Sequence, residues 1–293
     1  MKRSCLSLAL SVAASVWAFG AHAEAPGCPG VFYQGTPPVV TGAMGQGTLL
    51  CSTAFASYAS PVTHGPIWSA EFLTEEALEV AVRTPRKGIF FADTRLDEAT
   101  RTNLGDLKRS GYQRGHLTPS GDEPGLAAQE ESFALSNVVP QTPALNMGVW
   151  EGVEASTRGL ANADGELYVV TGALFADHDV PVIGPDRVMV PSGVFKAIYD
   201  PVTETAGAWV CSNTDDPHCS VVSLTVLRDT GGIDVFPGLA EKIKLTAMAM
   251  PAIEASPYAA EARAQQSERP GFTWNDRRVK AALTLLRKAM GRS

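Results

Sequence analysis

Histidine is scarce in this chain, five in 293 residues, and no Cys-x-x-Cys occurs. The paired-cysteine knuckles of a structural zinc module are therefore excluded. There is no Gly-x-Ser-x-Gly elbow, which removes the commonest serine-hydrolase arrangement. After Phe19 no apolar run approaches the roughly 20 residues needed to cross a bilayer, so no membrane association is expected. No internal repeat or low-complexity tract is present, against a solenoid or propeller. Positive charge is also in deficit. The net charge of −7 argues against a polyanion held by global attraction alone. What remains is ordinary: 45% hydrophobic and 19% charged residues describe a folded chain of one large domain or two small ones.

The first residues are unlike the rest. Met1-Lys2-Arg3 is basic, Leu6 to Phe19 is apolar, and Ala21-His22-Ala23 is a small-x-small cleavage site. This pattern predicts a secretory leader over residues 1–23 and a periplasmic or secreted protein. A retained anchor is the competing reading, and the apolar stretch is short for it. Cys5 precedes that stretch, so a lipoprotein signal does not fit. The remaining cysteines are Cys28, Cys51, Cys211 and Cys219. An even number in an exported chain predicts two disulfides. Of three connectivities we favour Cys28–Cys51 with Cys211–Cys219, because each pair brackets a Gly/Pro- or Asp-rich loop.

Residues 24–48 read as an extended lead-in tethered by a disulfide, residues 49–250 as a compact domain, and residues 251–293 as a basic helical tail that is most simply solvated. Strands are expected at Trp68 to Leu73, Leu167 to Thr171, Arg187 to Val190, Val194 to Tyr199, Ala208 to Cys211 and Ser220 to Val226. Helices are expected from Glu75 to Val82, Leu126 to Ala134, Asn146 to Leu160, Leu239 to Met250 and, amphipathic and basic, Trp274 to Met290. Ile89-Phe90-Phe91 reads as a buried strand or turn, and Ser136 to Gln141 as a short extended piece ended by Pro140. The class is α+β, an antiparallel sheet with helices packed on it.

Charge is unevenly spread. From Arg83 to His116 there are eight basic residues against four acids. A local positive groove on an acidic body can hold a polyanion, although most of these side chains are equally read as solvated surface. Within that stretch stands Tyr112-Gln113-Arg114-Gly115-His116. A neutral imidazole is a general base, and a neighbouring arginine helps keep it unprotonated. Gly115 would let the backbone turn there. Thirty residues on, Asn146, Trp150, Glu154 and Arg158 recur every four positions, one row on a helix face. Together these supply what phosphodiester cleavage needs: a base for water, positive charge for the transition state, and oxygen donors for a hard, hydrated cation. Spacing alone leaves the bland reading open. Asn146 is also a natural N-cap, Trp150 a core anchor, and Glu154 with Arg158 an ion pair.

Gly111-Tyr-Gln-Arg-Gly-His-Leu-Thr-Pro-Ser120 resembles the Asp-Arg-Gly-His signature of the DNA/RNA non-specific endonucleases, the ββα-metal nucleases. Ser136-Asn137-x-x-Pro140-Gln141, Asn146-x-x-x-Trp150 and Glu154-x-x-x-Arg158 follow in the family's order and spacing. Tyr168 to Gly172, Val190-Pro191, Phe195-Lys196 and Thr230 to Leu239 resemble its framework, as do Trp68 to Thr74 and Phe91 to Asp93 upstream. The resemblance covers Leu49 to Met250. It implies a central antiparallel sheet flanked by helices with a ββα-metal finger, and cleavage of DNA and RNA to 5′-phosphate ends. By the same resemblance His116 is the general base, Asn146 the direct ligand of a hydrated Mg2+ (Mn2+ substituting), and Glu154 the holder of that ion's waters. Arg114 and Arg158 contact phosphate, Asn137 supports the site, Gln141 shapes it, and Arg86 or Lys87 supplies a further substrate contact. An inhibitor or immunity protein is a partner consistent with such an enzyme. One position departs: the family's acid before Arg-Gly-His is Gln113 here. It implies either a retuned enzyme or, alternatively, a weakened or inactive nucleic-acid-binding protein on the same fold.

Overall fold

The segments Glu166–Leu174 and Gly193–Asp200 have no exposed residue, the pattern of strands covered on both sides. The computed structural model describes residues 28, 30–175 and 179–267. The predicted leader, His178 and the helix predicted from Trp274 lie outside them. The main strands are β1 (Thr48–Cys51), β2 (Phe55–Ser60), β3 (Gly65–Thr74), β4 (Gln113–His116), β5 (Val138–Gln141), β6 (Glu166–Leu174), β7 (Gly193–Asp200), β8 (Thr205–Ser212) and β9 (Cys219–Val222). The longer helices are α1 (Glu75–Arg83), α2 (Gly125–Ser132), α3 (Trp150–Asp164), α4 (Leu224–Gly231) and α5 (Ala259–Ser267). Seven strands form one antiparallel sheet in the order β9-β8-β7-β6-β3-β2-β1. Separately, β4 and β5 pair as an antiparallel ribbon. This is the predicted α+β architecture.

Strand alternation sorts the core into two layers. Trp68, Ala70, Phe195, Ala197 and Tyr199 face one side, with Phe32, Leu224 and Leu227 over them. Leu73, Val169, Val194 and Ile198 face the other, beneath Trp150 and Val153 of α3 and Val139 of the ribbon. Trp150 is fully buried, so its anchoring role is real. The ribbon and α3 thus share one sheet face, which carries the candidate site residues. Both expected disulfides are present, Cys28–Cys51 and Cys211–Cys219. The second staples the β8–β9 pair at opposed positions.

Several expectations are corrected. The helix expected from Asn146 is regular α-helix only from Trp150; residues 144–149 form one wide helical turn in which Gly148 leaves helical geometry. Asn146 is therefore not its N-cap. The strand expected to run through Val226 stops at Val222, where Ser223 accepts from Val226 N–H and opens α4, an ordinary serine cap. The helix expected over Leu239 to Met250 shrinks to Glu241–Lys244. Ile89, read as buried, is 84% exposed; of its triplet only Phe90 turns inward. The near part of the tail, though largely exposed, is docked on the domain rather than free. Residues 251–267 fold back on the start of α3, where Ser156 Oγ donates to Ala252 O (3.0 Å) and accepts from Glu254 N (3.0 Å).

That contact depends on a missing side chain. A Cβ at Gly152 would lie 2.0 Å from the Glu254 carbonyl oxygen, so the irregular backbone of this segment crosses the helix only because residue 152 is glycine. Gly152→Ala should lift residues 251–267 from the helix, read as faster amide exchange confined to that segment. Unchanged exchange there would contradict the assignment.

Candidate functional site

The ribbon is tied to the sheet by one buried amide. Asn137 Oδ1 accepts from Ser69 Oγ (2.7 Å) and Thr118 N (3.0 Å), and its Nδ2 donates to Thr118 O (2.9 Å) and Ser132 O (2.9 Å). All four hydrogen-bonding positions of the amide are filled, and Asn137 is fully buried. It fixes the turn after His116, and none of its polar atoms is left free for a substrate. Gly115 lies within β4 rather than in a turn. A Cβ there would sit 2.2 Å from Gln141 Cδ, so the glycine makes room for the Gln141 side chain. Gln141 is buried with neither amide atom bonded, an expensive state unless something polar reaches it.

His116 closes β4 in an aromatic recess. Its ring centroid is 5.1 Å from that of Phe90 and 4.9 Å, edge-on, from that of Phe133. Arg114 Cζ lies 5.2 Å over Phe90, and Arg86 Cζ 5.4 Å over Phe133. Cations on aromatic faces gain from the ring quadrupole without being neutralised. Neither Arg86 nor Arg114 has a carboxylate partner among the described residues. Burial first, and the Arg86 guanidinium second, push the His116 imidazole down to about 3. It is therefore neutral at physiological pH, with Nε2 buried and unbonded. Lys87 is exposed beside Arg86, its backbone N–H donating to Gln129 Oε1.

At the other end of β4, Gln113 Oε1 accepts from Asn146 Nδ2 (2.7 Å). The strand that carries His116 thus also holds Asn146, three residues apart, about 10 Å of strand rise. The Asn146 carbonyl oxygen accepts no hydrogen bond among the described residues, leaving a hard oxygen donor available.

Glu154 and Arg158 sit in a network of buried charge. Arg158 does not form the direct pair with Glu154 that the spacing allows. Its NH1 donates to Asp122 (2.9 Å), and its NH2 lies 3.9 Å from Glu151. The guanidinium expected to contact phosphate is thereby engaged by carboxylates. Beneath, Lys196 is fully buried, donating to Thr171 Oγ1 (2.7 Å) and 3.7 Å from Glu71. Ser69, Thr171 and Lys196 form one polar row across β3, β6 and β7. Desolvation, offset in part by Lys196 and Arg158, raises the Glu154 carboxyl to about 7. Burial, then Asp122, raises Glu71 to about 8.

Asp122, Glu71 and the phenylalanine walls were not singled out from the sequence. A charge inside an apolar strand is a signal that was present for Glu71 and Lys196; Asp122 sits in an unremarkable loop and gave none. The Glu154 shift has a testable sign. The folded chain holds this proton more tightly than the unfolded one, so the contribution to stability is full below the unfolded value of 4.5 and is lost as pH rises through about 7. Without divalent cations, Glu154→Gln should gain unfolding temperature relative to the native chain between about pH 4 and about pH 8. A difference independent of pH would refute that environment for Glu154.

Comparison with known proteins adds the kinship. The model for "DNA/RNA non-specific endonuclease" matches residues 36–242. Mitochondrial endonuclease G of Bos taurus is 30% identical over 202 residues, 65% of this chain and 66% of that protein. The mitochondrial nuclease of Saccharomyces cerevisiae is 35% identical over 158 residues, 49% and 48% of the two chains. The chain spans about half to two thirds of the length of these curated relatives. Among solved structures, the crystal structure of the EndoG/EndoGI complex superposes with a TM-score of 0.63 at 25% identity, over 70% of this chain and 91% of that one. With more than half its length matched by the family model, the chain belongs to the DNA/RNA non-specific endonuclease family.

Proposed function

We propose that this protein is an exported, Mg2+-dependent endonuclease that hydrolyses phosphodiester bonds in both DNA and RNA and leaves 5′-phosphate ends. One observation carries the reading: a neutral histidine flanked by two guanidiniums that lie on aromatic faces and, among the described residues, lack carboxylate partners. Cations placed without counter-ions beside a base suit a substrate that brings its own negative charge.

In this reading Arg86 and Arg114 draw a backbone phosphate against His116. The phosphate cancels the cationic field on the imidazole and raises its basicity, and His116 takes the proton from the attacking water. Among the described residues no group of three His, Cys, Asp or Glu is placed to hold a metal. Asn146 instead offers a single unbonded amide oxygen, the donor set of a hard cation that keeps most of its water. Mg2+, or Mn2+ in its place, would neutralise charge on the phosphate and present acidic water to the leaving oxygen. Glu154 would orient that hydration from α3, and Gln113 would hold Asn146. Lys87 and Gln141 flank the base as further substrate contacts.

Export is supported by the two disulfides, which persist in oxidising compartments, and by the leader pattern of residues 1–23. Among the described residues no helix is long and apolar enough to cross a membrane. An inhibitor that seats on the cationic recess is a fitting partner class; the structural neighbour is a complex described by its EndoG inhibition.

Plasmid nicking with and without EDTA tests the proposal. Cleavage of DNA and RNA should require the cation, and His116→Ala should lower the rate by about 10²-fold or more. Cation-dependent cleavage that survives His116→Ala would reject the mechanism. Salt-sensitive binding without cleavage would favour the non-cutting alternative.

A further inference from the structure

The segment after residue 250 returns to the site. Ser256 Oγ donates to Met147 O (2.5 Å), and α5 lies against the wide turn that carries Asn146, with Ala262 buried beneath it. From α5, Gln265 Oε1 accepts the Nε2 of Gln113. The Nε2 of Gln265 in turn donates to Glu261 Oε1 (3.0 Å), one helical turn back. The Gln113 Nε2 also lies 2.8 Å from Met147 Sδ, and its Oε1 holds Asn146 Nδ2 at 2.7 Å.

A carboxamide is ambiguous, because a half turn exchanges its donor and acceptor ends. Were Gln113 turned, its NH2 would face the NH2 of Asn146. Two donors repel, and Asn146 would turn in answer, putting an NH2 where its free oxygen now stands. The useful orientation therefore needs an acceptor on the Nε2 side of Gln113. Thioether sulfur is a weak one. The Gln265 carbonyl is strong, and Glu261 fixes its direction.

We infer that Gln265 is a positioning residue for Asn146, acting through Gln113, so that the arm of residues 251–267 completes the site. The inference rests on the proposed role of Asn146 as a cation ligand. It also accounts for the glutamine at 113. A carboxylate there would accept from Asn146 equally well and would have no donor to place, so dependence on Gln265 follows from the amide.

Mn2+ binding to the full chain, followed by water-proton relaxation, tests this without reference to cleavage. Asn146→Ala should abolish binding. Gln265→Ala should weaken it about tenfold, the usual cost of removing a partner behind a metal ligand, at an unchanged unfolding temperature. Gln265→Glu combined with Glu261→Gln keeps both the acceptor and a donor that orients it, and should keep the affinity. In a Gln113→Asp background, Gln265→Ala should change affinity by less than about twofold, the non-additivity expected of coupled residues. Native affinity in Gln265→Ala, or an equal loss in both backgrounds, would overturn the inference while leaving Asn146 in place. Native affinity in Asn146→Ala would overturn the cation reading and this inference together.

Discussion

The Asn137 amide is the constraint on which the site depends. A two-stranded ribbon is marginal by itself, and β4–β5 carries His116 at one end and Gln113 at the other. Asn137 joins this ribbon to Ser69 in a central strand, to both backbone groups of Thr118, and to the carbonyl before Phe133. Ser132 and Phe133 are adjacent, so the same amide that fixes the strand end also sets the aromatic wall against the His116 ring. Losing it would leave several buried polar groups without partners, each at a cost of about 1–3 kcal/mol.

Electrostatics divides the site into two halves of opposite character. Around His116 the cations lie on rings and, among the described residues, have no carboxylate partner. Around Glu154 carboxylates outnumber cations, and burial holds some of them toward the neutral form. In the proposed reading a substrate phosphate is attracted to the first half and a cation to the second, and Asn146 is tethered to the strand that begins the first. Buried charge of this kind is costly as a stability device; here it lies on the sheet face shared by α3 and the ribbon, where perturbed carboxyls are most useful.

Much of this was legible in the residues. The continuous apolar strands, the cysteine brackets and the Arg-Gly-His segment each have a local cause that sequence displays. The family resemblance then placed Asn146 and Glu154 in one site. What was not legible depended on tertiary partners. Whether Arg158 meets Glu154 or Asp122 is decided by a loop 36 residues away. The helix start slipped from Asn146 to Trp150 because the preceding turn is wide, and no composition signals that. Ile89 has a core residue's chemistry and a surface position, and the tail's return to Met147 and Gln113 has no periodic signature.

The central claim is spatial: a phosphate held between Arg86 and Arg114 against His116, with a cation on the Asn146 oxygen. A crystal structure of the His116→Ala chain with Mn2+ and a short oligonucleotide measures it directly. The account predicts anomalous scattering from manganese at Asn146 and a backbone phosphate contacting both guanidiniums. Manganese bound elsewhere, or a strand lying away from the Phe90–Phe133 recess, would contradict it.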